Sequence, residues 1–88
     1  MEIKDLKYFV AVYEANSFVR ASISLATVQS NVSFRIRRLE EHLGATLFVR
    51  LRRGVKPTKE GDLFYRHAKD VLGKIEEARD IVKRVNAA

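Results

Sequence analysis

Apolar residues recur along this chain at helical spacing in four stretches, with one short alternating segment before the last. Leu6, Phe9, Val10 and Tyr13 step i, i+3, i+4, i+7 and predict a helix over about 3–15 with one buried stripe. Asn16 and Ser17 interrupt it, and Ser17 is a natural N-cap for a second helix over about 18–25, burying Phe18, Ala21, Ser22 and Leu25. Ala26, Thr27 and Val28 then form a turn, with Val28 expected to tuck into the core. A third helix starts near Gln29 or Ser30 and stops at Gly44, a residue suited to the position just past a helix end. Its expected buried stripe is Val32, Ile36, Leu39 and Leu43. At about 100° per residue the opposite face carries Ser30, Phe34, Arg37 and Glu41, flanked by Asn31, Ser33 and Arg38.

Residues 47–57 predict two short strands around an Arg52, Arg53, Gly54 turn, with Gly54 free to take positive φ and Pro57 at the end of an edge strand. Thr58 caps a fourth helix reaching about Asn86, roughly 43 Å long, with Glu60 and Asp62 in its first turns. Gly61 and Gly73 are expected to weaken it slightly. Its apolar positions Phe64, Ala68, Val71, Ile75, Ala78, Val82 and Val85 alternate steps of four and three, a heptad seam. So long a helix outruns the residues before it, so the seam is expected to pair two copies rather than pack only on its own domain.

Eighty-eight residues make one small domain, near the size where a single core is marginal. The net charge of +6 is unevenly placed: residues 20–59 hold nine Lys and Arg against Glu40 and Glu41, while the remainder is slightly acidic. Charge concentrated in this way favours a polyanionic partner. There is no cysteine for a disulfide or thiolate site, and His42 and His67 lack a metal-binding pattern, so no metal is expected. Without a glycine-rich phosphate loop or nucleophile motif, neither catalysis nor a cofactor is expected. No apolar run approaches the roughly 18 residues of a membrane span and no signal peptide opens the chain, which points to a soluble cytoplasmic protein without membrane contact.

The second and third helices, joined by a tight turn, allow one helix to pack while the other lies in a DNA groove. Gln29 and Asn31 have the amide geometry to read adenine, Ser30 and Ser33 suit donors or acceptors, and Phe34 matches the thymine methyl group or folds back on the turn or wing. Arg35, Arg37 and Arg38 suit phosphates, or local pairing with Glu41. Arg20, Thr27, Arg50 and Lys56 are further candidates for the DNA backbone, and Arg52 and Arg53 suit a narrow minor groove. Tyr8, Tyr13 and Tyr65 are expected to pack with their hydroxyls in water. Two other readings are a coiled-coil module binding an acidic protein, and an RNA-binding winged helix, for which no aromatic platform beyond Phe34 is visible.

The order and spacing of LKYFVAV at 6–12, SFVRA at 17–21 with Leu25, QSNVS at 29–33 with Ile36, LEE at 39–41 with Leu43 and Gly44, Leu47 and Phe48 with Arg50, Arg53 with Gly54, and Thr58 with Gly61 carry a resemblance. Across nearly its whole length the chain resembles the N-terminal DNA-binding domain of LysR-type bacterial transcriptional regulators. The resemblance implies a mainly α winged helix-turn-helix: three helices and a two-stranded β wing over residues 1–58 (helix-turn-helix about 18–43, wing about 47–57), then a dimerising linker helix over 59–88. It implies a homodimer on an imperfectly two-fold promoter site of double-stranded DNA, at the bacterial nucleoid. It also implies a C-terminal effector-binding domain, through which alone a small-molecule effector would act. The sequence ends at Ala88 without that domain and is expected to be a piece of a longer regulator. Two positions depart from the family pattern: Phe34 stands where a polar or basic residue is usual, and Val28 where serine is common.

Overall fold

Local chemistry accounts for where each helix begins or ends in the computed structural model, which describes residues 1–87. Helix α1 (Ile3–Ala15) starts where the Asp5 carboxylate accepts the Glu2 N–H at 2.8 Å. It ends at Asn16, left-handed at φ 53°, whose N–H donates to the Val12 carbonyl at 2.8 Å. Helix α2 (Phe18–Ser24) is capped by Ser17, whose Oγ accepts the Arg20 N–H at 3.1 Å. Helix α3 (Gln29–Leu43) closes on Gly44 at φ 66°. Strands β1 (Phe48–Arg50) and β2 (Val55–Pro57) pair antiparallel, Phe48 opposite Pro57 and Arg50 opposite Val55. Helix α4 (Lys59–Ala87) begins at Thr58, whose Oγ1 accepts the Gly61 N–H at 3.0 Å and donates to the Thr46 carbonyl at 2.6 Å.

The expected architecture is present: three helices, a two-stranded wing and a long last helix. Phe9 sits at the centre of the core, fully buried, with its ring centroid 5.0 Å from Phe64 and 5.3 Å from Phe48. Helix α3 turns Val32, Ile36 and Leu39 inward, and Ala21 is small enough to be wholly buried where α2 crosses its neighbours. Each large apolar side chain buried in this way contributes about 1.5–3 kcal/mol relative to exposure.

Two close approaches hold the wing against the helices. The Val55 N–H donates to the Asn16 carbonyl at 3.1 Å, and a Cβ on Gly54 (φ 79°) would lie 2.6 Å from that oxygen. At the other end of the wing, a Cβ on buried Gly61 would collide with the Leu47 carbonyl. Gly61 is thus required by packing and is not simply a weak point in α4. The Glu40 carboxylate, eight residues before β1, accepts the N–H groups of Leu47 at 2.7 Å and Phe48 at 3.4 Å.

Val28 is 64% exposed: it precedes α3 in extended conformation, and its side chain points away from the core. Leu43, in the last turn of α3, is also exposed. Ala68 (1% exposed) and Phe64, expected on a pairing seam, pack on their own domain because the first half of α4 lies against α1. The tyrosine hydroxyls are not left to water: Tyr13 donates to Asp62 at 2.7 Å and Tyr65 to Glu14 at 2.6 Å. No helix among the described residues is long and apolar enough to cross a membrane.

Candidate nucleic-acid interface

Because Val32, Ile36 and Leu39 face inward, α3 must turn Gln29, Ser30, Phe34, Arg37, Arg38 and Glu41 outward, and all six are exposed. Phe34 lies in the middle of that face, 53% exposed, with the Arg38 guanidinium 5.6 Å from its ring centroid. A side chain one turn along a helix leans back over its predecessor, and this is how Arg38 meets Phe34. Ser33 lies at the edge of the face, half-buried.

Three residues expected at the interface are tied into the scaffold. The Arg35 guanidinium pairs with Asp5 at 3.0 Å and lies 5.3 Å from the Tyr8 ring centroid. The side chain of Arg35 is 19% exposed and ties α3 to α1. The Asn31 side-chain amide donates to the Tyr8 hydroxyl at 3.2 Å and to Thr27 Oγ1 at 3.0 Å. Asp5, Arg35, Tyr8, Asn31 and Thr27 therefore form one polar chain from α1 to the turn, tying α3 to both. Burial would raise the Asp5 carboxyl, but the Glu2 N–H and the charges of Arg35 and Arg38 more than offset it, and its pKa lies below the ordinary aspartate value.

The wing approaches α3 through Arg50. Its guanidinium lies 4.5 Å from the Phe18 ring centroid and reaches Ser33 Oγ at 3.5 Å, so a β1 side chain bridges α2 and the outer edge of α3. Beside it a cleft of about 130 Å³ is lined by Phe18, Ser33, Ile36, Arg37, Glu40, Phe48 and Arg50. Arg52 and Arg53 stand exposed in the turn between the strands, and Lys56 is exposed on β2.

Ion pairing leaves most of the cations free, and seven of the free ones lie on or beside α3 and the wing. Among the described residues, Arg35, Lys69, Lys74 and Arg79 supply the cations of the ion pairs within 4.0 Å. Arg20, Arg37, Arg38, Arg50, Arg52, Arg53 and Lys56 are exposed and make none, so Glu41 does not neutralise its neighbours on α3. Such an array attracts an anion with repeated charges. Among the described residues no group of His, Cys, Asp and Glu is placed to hold a metal.

Beyond Ala68 the seam of α4 is open. Val71, Val82 and Val85 are exposed and Ile75 half-buried. Exposed Leu63 and Ile81 widen the same face, although neither falls on the heptad count. Tyr65 and Leu72, which the heptad also passes over, pack towards α1 instead. At about 100° per residue, the free apolar face is turned roughly a quarter of the way round the helix from the packed one. One helix can thus cover its own domain and still offer a second surface.

A family model described as bacterial regulatory helix-turn-helix protein, lysR family, matches residues 3–62. The chain is 41% identical over 85 residues to the HTH-type transcriptional regulator BenM of Acinetobacter baylyi, covering 97% of this chain and 28% of that protein. It is 42% identical over 90 residues to BudR of Klebsiella aerogenes, covering 98% of this chain and 63% of BudR. It therefore spans less than two thirds of the length of these relatives. Among solved structures, the BenM DNA-binding domain in complex with catB site 1 DNA superposes with a TM-score of 0.96 at 40% identity, covering 100% of this chain and 99% of that one. The CbnR DNA-binding domain in its DNA complex gives 0.92 at 32% identity, covering 97% and 98% of the two chains.

Proposed function

The chain belongs to the lysR family of bacterial regulatory helix-turn-helix proteins, as a DNA-binding domain of that family, and from that membership we propose how its residues engage a duplex. It is a binding protein and not an enzyme. The observation that carries the reading is the set of exposed, unneutralised cations on α3 and the wing, next to an arginine that is neutralised because it holds the scaffold.

Helix α3 enters the major groove, where Gln29, Ser30 and Ser33 read base edges. Arg20, Arg37, Arg38, Arg50 and Lys56 neutralise phosphates, and Arg52 and Arg53 reach the adjacent minor groove. Asn31, Thr27 and Arg35 act one step back, by holding the helix. Residues 1–58 are the DNA-binding unit, and the free face of α4 pairs two copies on an imperfectly two-fold site. The whole regulator acts in the bacterial cytoplasm at the nucleoid, and an effector acts through a C-terminal domain outside this chain.

Duplex binding measured by fluorescence anisotropy across a salt series tests this. Affinity should fall steeply with salt, and Arg37→Ala or Arg38→Ala should lower the log–log slope by about 0.9 for each protomer bound, about 1.8 for a dimer. Binding to polyglutamate as tight as to duplex would favour an acidic protein partner instead.

A further inference from the structure

We propose that Phe34 reads the C5-methyl group of thymine, making the preference of this domain depend on a single methyl in each half-site. The inference rests on the DNA-binding reading above and deepens it. Phe34 occupies the centre of the outward face of α3, 53% exposed, at a position where the helix has no packing need for an aromatic ring. One turn before it stands Ser30, and one turn after it stand Arg37 and Arg38, all exposed and polar. An aromatic ring among groups that hydrogen-bond bases and phosphates faces the floor of the groove together with them.

The ring does not fold back. The Arg38 guanidinium lies 5.6 Å from its centroid, and Phe34 stays 53% exposed. Phe18, by contrast, is the ring that faces the wing, under Arg50 at 4.5 Å. Phenylalanine has no donor or acceptor, so it discriminates only by apolar contact, and the thymine methyl is the apolar group that the major-groove edges of the four bases display. Arg38 held beside the ring places a cation near the flanking phosphate, so one pair of side chains joins reading to holding. The same contact admits 5-methylcytosine, which carries a methyl at the equivalent position.

The test begins with selection of preferred duplexes from a random library by the chain itself. Each thymine of the selected site is then replaced singly by uracil, which removes the methyl and leaves every hydrogen-bonding group. One thymine per half-site should weaken binding on replacement by about four-fold, the effect of one buried methyl-sized group. Phe34→Ser should bind the thymine and uracil duplexes equally, whereas Val28→Ser, at another exposed apolar side chain, should keep the difference. Cytosine at that position should bind more tightly once 5-methylated, in the unmutated chain only. A uracil effect that persists in Phe34→Ser, or no uracil effect at any thymine while selection still yields a defined site, overturns the proposal and leaves DNA binding standing. If no duplex is retained at all, the DNA-binding reading falls and the proposal with it.

Discussion

The rings of Tyr13 and Tyr65 lie face to face, 3.9 Å between centroids and 9° from parallel. Each hydroxyl crosses to a carboxylate on the opposite helix, Tyr13 of α1 to Asp62 of α4 and Tyr65 of α4 to Glu14 of α1. Lys69 adds an ion pair to Glu14 at 3.4 Å. This reciprocal clasp fixes the direction in which α4 leaves the domain, and so the angle at which its free face would meet a second copy in the proposed dimer.

The clasp predicts an alkaline limit to stability. Donation to Asp62 raises the Tyr13 pKa and donation to Glu14 raises that of Tyr65. A group whose pKa is higher when folded stabilises fully below its unfolded value, about 10 for tyrosine, and that contribution disappears as pH rises through the folded value. Thermal unfolding followed by circular dichroism between pH 8 and 11.5 should show Tm falling above about pH 10. The Tyr13→Phe/Tyr65→Phe double variant should start from a lower Tm and fall less steeply.

The Asp5–Arg35 pair predicts the opposite limb. Asp5 has a lowered pKa, so its contribution is present above the ordinary aspartate value of about 4 and is lost as pH falls through the folded value. Asp5→Asn should flatten the acid side of the stability curve in denaturant titrations between about pH 5 and 2. Arg35→Met, which leaves a poorly exposed carboxylate without its partner, should cost about 1–3 kcal/mol. The salt slope of duplex binding should be unchanged in Arg35→Met, because this arginine is not directed at phosphate.

Helices, wing and the exposed face of α3 are legible in the sequence because each rests on local spacing: the period of α3 alone turns Gln29, Phe34 and Arg37 outward. The pairing of Arg35 is not encoded in local spacing, because its partner Asp5 is thirty residues away. A signal was nevertheless available. Arg35 adjoins the Val32 and Ile36 stripe, and Asp5 precedes Leu6 in the buried part of α1, so a charge of each sign stands where burial demands pairing. Asn31 and Thr27 lie four apart and their contact was open to the same reasoning. The heptad count of α4 failed at Ala68 for a different reason: a helix with two apolar faces has one overlapping pattern, and only tertiary contact divides it.

The glycines of α4 should respond oppositely to alanine. Gly73 has open space around its Cβ position, so Gly73→Ala should raise stability by about 0.5–1 kcal/mol through helix propensity. Gly61→Ala must displace the Leu47 backbone and should destabilise by about 1–3 kcal/mol. Urea unfolding of both variants measures the two signs in one experiment.

Pairing through α4 predicts a separation of folding from assembly. Val71 is exposed and Ile75 half-buried in the single chain, so Val71→Asp/Ile75→Asp should leave its circular dichroism largely intact. In a dimer both charges would be buried, at a cost large enough to dissociate it. Sedimentation equilibrium should show a dimer at tens of micromolar for the unmutated chain and a monomer for the variant.

Helix α3 is proposed to read bases with its uncharged first turns and to hold phosphates with the arginines beyond them, and competition binding with preferred and scrambled duplexes separates the two roles. Gln29→Ala should cost roughly 1–3 kcal/mol on the preferred site and much less on scrambled DNA. Arg37→Ala and Arg38→Ala should weaken both DNAs by similar factors, since phosphates are alike in every sequence. Full retention of the preference in Gln29→Ala, or its selective loss in Arg37→Ala, would mean that the reading residues lie elsewhere.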